Sequence, residues 1–195
     1  MLQTTFYSTG PDDFENQMLQ DLIEDIKGAE QCIHIQHMYF HPVPELLEAM
    51  KGAACRGVNI HLVTNRFGGD MPLTHELYTE LSRSNWKELL GGELNPNLHL
   101  YEFGVANTTY HKKIITIDGK RVYLGSTNMG EKSLRMNDHE INVRLESPDM
   151  VNFVLQCFLH DVPLSPEVPQ AEVLRSEINR AAIAEVQASF LQRWL

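Results

Sequence analysis

Between positions 111 and 128 the chain sets an imidazole, an ammonium, a carboxylate, a hydroxyl and an amide at fixed intervals, as His111, Lys113, Asp118, Ser126 and Asn128, with Gly125 before the serine. Attack on a phosphodiester calls for such a set. Its transition state spreads negative charge over non-bridging oxygens, which a lysine charge and serine and asparagine donors can stabilise. A neutral imidazole is a competent nucleophile near pH 7 once its second nitrogen is held by an acceptor, and a carboxylate serves well. Glu140, on the next stretch of strand-forming residues, is the candidate acceptor.

The elements that must position these groups follow from local pattern. Residues Tyr110 to Asp118 and Arg121 to Leu124 are rich in β-formers and flank an Asp118-Gly119 pair, the strongest short hairpin signal. A two-residue turn there pairs Ile115 with Val122, Lys113 with Leu124 and His111 with Ser126. Alternation then places His111, Lys113, Ile115 and Ile117 on one face, with Ser126 and Asn128 on that same face across the ladder. Asp118, in the turn, is too far from His111 to touch a shared ligand, so its expected work is structural, as an acceptor for turn amides. A half-exposed strand with polar residues outward would account for His111 and Lys113 alone, but not for the whole spacing.

Upstream, Asp12 to Ala29 and Pro44 to Arg56 carry apolar residues at helical spacing, the second with Gly57 suited to its C-terminal cap. Strand signals at Cys32 to Ile35 and Val58 to Val63 alternate with them. A further helix over Leu73 to Leu90, strands over Leu98 to Phe103 and His139 to Leu145, and a helix near Met150 to His160 complete the pattern. The fold class this predicts is α/β, a mixed sheet flanked by helices on both faces. Residues 1–162 form the expected catalytic half-site domain. Pro163, Pro166 and Pro169 mark residues 163–195 as a linker followed by an amphipathic helix through Leu174, Ile178, Val186 and Phe190.

The 195 residues are 43% hydrophobic, enough for one globular core. The formal net charge of -10 argues against a surface that coats nucleic acid. The motif region is locally basic, however, with Lys112, Lys113, Lys120, Arg121, Lys132 and Arg135 against Asp118 and Glu131. That suits any phosphate ester, from a lipid headgroup to a nucleic-acid backbone. Cys32, Cys55 and Cys157 lie far apart, so neither a disulfide framework nor a zinc site is indicated. His34, His37, His41, His61 and His99 form no spaced ligand set, and no metal or cofactor is expected. The sequence carries no signal-peptide pattern and no run of about eighteen apolar residues, so the expectation is a cytoplasmic protein or one in peripheral contact with a membrane.

His111, Lys113, Asp118, Gly125, Ser126 and Asn128 fill every fixed position of His-x-Lys-x4-Asp-x6-Gly-Ser-x-Asn. In this the chain resembles the phospholipase D superfamily. Met38-Tyr39-Phe40-His41-Pro42 and the helix ending Arg56-Gly57-Val58 are similar to the second half of bacterial cardiolipin synthases. The resemblance implies a phospholipase D-like phosphodiesterase or phosphatidyltransferase that acts on phospholipids through a phosphohistidine on His111. It places the histidine-orienting acid at Glu140, and Tyr39 and Phe40 near the cleft as substrate-binding residues. Family sites use two such motifs, one histidine attacking and the other protonating the leaving oxygen, whereas this sequence holds one copy. The second half-site then comes from a homodimer, isologous about a two-fold axis, or from an N-terminal half of a longer chain. A metal-independent homodimeric endonuclease and a non-catalytic phosphate-binding half-domain are the alternatives.

Overall fold

A computed structural model describes residues 3–11, 15–66, 73–106, 108–136 and 138–176. In chain order its elements are β1 (Gln3–Thr9), α1 (Gln17–Lys27), β2 (Cys32–His37), α2 (Pro44–Cys55), β3 (Asn59–Asn65), α3 (Leu73–Leu90), β4 (Leu98–Phe103), β5 (Lys113–Ile117), β6 (Arg121–Gly125), β7 (Glu140–Glu146), α4 (Pro148–Asp161) and α5 (Gln170–Arg175). One seven-stranded sheet runs β1-β7-β6-β5-β2-β3-β4. β2, β3 and β4 are parallel, and the remaining pairings are antiparallel. The sheet is therefore mixed, with helices on both faces, as the alternation of signals implies.

The front face carries Ile33, Ile35, Ile60, Leu62, Ile115 and Ile117 into the main core, where they meet Met18, Leu22 and Ile26 of α1, Leu46 and Met50 of α2 and Trp86 of α3. α1 buries Met18, Leu19, Leu22 and Ile26, one stripe at helical spacing. It starts at Gln17, where Asn16 caps it by accepting from Leu19 N at 3.0 Å; the expected start at Asp12 lies outside the described residues. α4 covers the back face, with Val151 and Val154 against Val122, and Phe158 against Val63, Phe103 and Tyr110.

Two elements depart from expectation. β1 gave no sequence signal, because Gln-Thr-Thr-Phe-Tyr-Ser-Thr is mostly polar; it is an edge strand held by main-chain pairing to β7. The proline-marked stretch expected as a linker instead lies along the free edge of β4. Gly104 N donates to Leu164 O, Glu102 N to Pro166 O and Val168 N to Leu100 O, while Val168 and Val173 enter the core. An edge tolerates prolines, since their missing N–H would face away from the ladder. The remainder of the expected last helix, residues 177–195, lies outside the described residues.

The back face holds a row of three histidines, because the parallel register aligns His34 with His61 and His61 with His99. Their rings stack at 5.3 and 4.5 Å, and Phe158 meets His34 edge-on at 4.7 Å. Burial lowers the His34 pKa; burial, then the neighbouring imidazoles, lowers that of His61 to about 4. On the front face, burial and the Lys113 charge lower His37 to about 3. The folded state binds these protons less tightly than the unfolded chain, whose histidines titrate near 6.5. Stability is thus full above about pH 6.5 and declines as pH falls toward the folded values. Urea midpoints measured from pH 7 to about pH 4 should decrease steadily, and His61→Phe should flatten part of that decrease; a flat profile in the native chain contradicts it.

Candidate active site

The hairpin turns where the sequence says, with a one-residue difference in register. Asp118 and Gly119 both take left-handed backbone, φ 53° and 62°, and Lys120 N donates to Ile117 O at 3.0 Å. The ladder nevertheless pairs Ile117 with Arg121, Thr116 with Val122 and Ile115 with Tyr123. Lys120 is an extra residue, a bulge that shifts β6 by one position. The expected pairs Ile115 with Val122 and Lys113 with Leu124 are corrected accordingly.

That shift changes which groups share a face. His37 lies opposite Lys113, Ile35 opposite Ile115, and Asn142 opposite Gly125, so the front face at this end carries His37, Lys113, Gly125 and Asn142. Ser126 falls one step further and stands against Ile141. Its Oγ accepts from Ile141 N at 3.1 Å and makes a longer contact of 3.4 Å with Ile141 O. The expectation that strand pairing sets the Ser126 hydroxyl beside His111 is therefore not met: the hydroxyl closes the end of the β6–β7 ladder. Its proton has only the longer contact, and can turn to a ligand.

His111 itself precedes β5 and is exposed. Lys113 Nζ lies 3.4 Å from its Nδ1 and 3.3 Å from its Nε2, so the ammonium sits against the imidazole, nearly equidistant from its two nitrogens. Burial lowers the Lys113 pKa, and the negative charge of Glu140 opposes that shift. A half-buried cation of this kind gains from an arriving anion. Glu140 stands near enough to Lys113 and Tyr39 to act on both, yet among the described residues it makes no hydrogen bond to His111. Among the described residues, Asn128 Oδ1 is buried without a hydrogen-bond partner.

Of the two aromatic residues expected near the cleft, Tyr39 is half-buried and lies close enough to Glu140 to feel its charge. Its ring stacks on Tyr78 at 4.9 Å, and burial, Tyr78, Asp138 and Glu140 raise its pKa. Phe40 is 0% exposed and packs edge-on against Trp86 at 6.3 Å, so it is core and its assignment to substrate binding is corrected. Beyond β2 the backbone is irregular, and the neighbouring side chains differ in burial, Tyr39 half-buried and Phe40 in the core.

Asp118 does structural work, with different partners from those expected. Its carboxylate accepts from Glu30 N at 2.9 Å, Gln31 N at 2.8 Å and Cys32 N at 3.0 Å, the chain entering β2, rather than from amides of its own turn. Burial acts to raise its pKa, but these three donors and Lys120 outweigh it and hold the carboxyl below its ordinary value.

Sequence reasoning missed two further residues. Asn142 is buried and grips Thr127 twice, accepting from Thr127 N at 3.2 Å and donating to Thr127 Oγ1 at 2.6 Å, which fixes the loop that presents Asn128. Strand parity with Glu140 could have found it. His37, buried beneath Lys113, contacts Tyr39 O at 3.0 Å through Nδ1; as one of several strand histidines it gave no distinguishing signal. Gly125 now has a physical reason as well, since a Cβ there would overlap Asn142 Oδ1 and Ile141 O.

Two substitutions check this geometry. Gly125→Ala should destabilise the fold by about 1–3 kcal/mol through overpacking, read as a lower urea midpoint. Asp118→Ala leaves three amide donors without their acceptor and should cost about 1–3 kcal/mol; an unchanged melting temperature would contradict the anchoring role.

Comparison with known proteins bears on this arrangement. Residues 22–162 match the family model described as "Cardiolipin synthase, PLD-like domain". The chain is 30% identical over 166 residues to a cardiolipin synthase of Listeria monocytogenes, covering 83% of this chain and 32% of that protein. It is 27% identical over 172 residues to cardiolipin synthase 2 of Staphylococcus epidermidis, covering 88% of this chain and 33% of that one. The chain thus spans about a third of the length of these curated relatives. In fold it is similar to NucT from Helicobacter pylori, with a TM-score of 0.64 at 17% identity over 86% of this chain and 100% of that one. It is also similar to phosphatidylserine synthase of Haemophilus influenzae, with a TM-score of 0.75 at 14% identity over 98% of this chain and 46% of that one. With its complete motif on a mixed sheet of this topology, the chain belongs to the phospholipase D superfamily, in the family of cardiolipin synthase PLD-like domains.

Proposed function

We propose that this chain supplies one half of an active site that cleaves or transfers phosphodiesters, with phospholipids as the substrate class and His111 as the nucleophile. The observation that carries the reading is the meeting of the exposed His111 imidazole with the half-buried Lys113 ammonium at 3.3–3.4 Å. A phosphate entering between them would accept the lysine's hydrogen bonds while presenting phosphorus to an imidazole nitrogen. Attack forms a nitrogen–phosphorus bond and breaks the bond to the leaving alcohol, whose oxygen takes a proton from the second half-site's histidine. Water or a second alcohol, such as the glycerol hydroxyl of another phospholipid, then displaces the phosphoryl group from His111.

The remaining motif groups have supporting parts. Lys113 and the Asn128 amide stabilise charge on the non-bridging oxygens, while Ser126 holds the end of the β6–β7 ladder that carries Asn128. Glu140 supplies the carboxylate for an imidazole, either His111 after rotation away from Lys113 or the histidine of the facing half. Tyr39 forms part of the cleft wall. The facing half comes from a second copy or from an N-terminal half of a longer polypeptide. No helix among the described residues is long and apolar enough to cross a membrane, which is compatible with peripheral contact.

A second reading, a metal-independent endonuclease working as a homodimer, draws on one observation: this chain covers 100% of the solved NucT chain, so a site built from two such units needs no further domain. Vesicles of phosphatidylglycerol and phosphatidylcholine, and single-stranded DNA in EDTA, separate the two. The lipid reading expects headgroup release or transfer, reduced about 100- to 1,000-fold by Lys113→Ala, the range seen when one charge-stabilising donor is removed. Degradation of DNA with the lipids untouched would overturn it.

A further inference from the structure

The two residues that flank His111 turn away from the cleft and converge on a single buried carboxylate. Tyr110 Oη donates to Asp161 Oδ2 at 2.6 Å, and Lys112 Nζ lies 2.5 Å from that same oxygen. Both donors also reach Gln36 Oε1, at 3.1 and 3.3 Å, and Lys112 Nζ lies 5.3 Å over the Tyr110 ring. Asp161 ends α4 on the back of the sheet, with its side chain 8% exposed. The main chain is held as firmly. Tyr110 N donates to Asn65 Oδ1 at 2.6 Å, Asn65 Nδ2 donates to Tyr110 O at 2.7 Å, and Met38 N donates to Lys112 O at 3.1 Å. His111 stands between these anchors, before the first ladder pair of β5, where sheet pairing does not yet fix it.

We propose that Asp161 is a positioning residue for His111: by holding the side chains on either side of it through the back of the sheet, it sets the direction in which the imidazole is presented. This rests on the reading of His111 as nucleophile. A charged, nearly buried acceptor that takes two donors is stiff, because turning either donor away leaves a desolvated charge less than satisfied. Alternation of the backbone then converts the fixed directions of Tyr110 and Lys112 into a fixed opposite direction for His111. Asp161 touches no reacting atom; it acts from about fifty residues further along the sequence.

The test uses the full chain and three variants, Asp161→Asn, Tyr110→Phe and His111→Asn. Phospholipid turnover is followed as kcat and KM separately, and the imidazole nitrogen resonances of His111 are assigned by their loss in His111→Asn. Asp161→Asn is expected to lower kcat about 10- to 100-fold, the range for a misplaced reacting group, with KM within about twofold. It should also shift or broaden the His111 resonances. Should Asp161→Asn fail to fold, Tyr110→Phe removes a single hydroxyl and should show the same changes at smaller size. A lower melting temperature with unchanged kcat and unmoved His111 resonances overturns the proposal and leaves Asp161 a fold-stabilising residue. If the unsubstituted chain, with its facing half supplied, turns over no phosphodiester, the proposed function has failed, and the resonances alone decide whether Asp161 positions His111.

Discussion

The carboxylate of Asp118 is the joint on which the site's geometry depends. It takes three main-chain N–H groups at the entry to β2, and so ties the tip of the β5–β6 hairpin to the neighbouring strand β2. Once that tip is fixed, the antiparallel register between β5 and β2 places His37 against Lys113 at the far end, about four residue pairs away. A residue at one end of a ribbon thereby governs the placement of a cation at the other, although the two never meet. The physical source of its strength is charge: an ionised acceptor bonded to backbone donors is worth roughly twice a neutral pair.

The sheet then divides the labour of neighbouring residues. Odd positions along β5 face the front core and, at its open end, the cleft; the residues between them face α4. Around His111 this division separates its neighbours, since Tyr110 and Lys112 are spent on the back of the sheet while Lys113 stays beside His111. The second half of the motif is organised by different means. Gly125 permits β6 and β7 to approach closely, Asn142 fixes Thr127, and Ser126 seals the ladder against Ile141. The spacing of the motif is thus largely the spacing of a turn, a bulge and a strand end.

What could be read from the sequence were the signals of local physics. The Asp-Gly turn, the apolar alternation around it and the helical stripes of α1 and α2 all rest on neighbours a few residues apart. The register could not be read, because a bulge at Lys120 inserts one residue without any change in composition, and one residue moves Ser126 out of the face expected for it. Edge structure was equally silent: β1 and the stretch along β4 hold by main-chain hydrogen bonds, which any sequence can make. Phe40 shows a third limit, since adjacent aromatics after a strand give no sign of which one turns inward. Asn65 and Asp161 act on residues far along the chain, and such contacts leave no local pattern.

A nucleophilic His111 must carry phosphorus on its imidazole during turnover. This is tested most directly by quenching the chain during turnover of a phospholipid labelled in its phosphatidyl group, digesting it at alkaline pH and mapping the adduct by mass spectrometry. An acid-labile, base-stable adduct on the peptide that carries His111, absent in His111→Asn, is the expected result. An adduct on any other side chain, or undiminished turnover by His111→Asn, would contradict it.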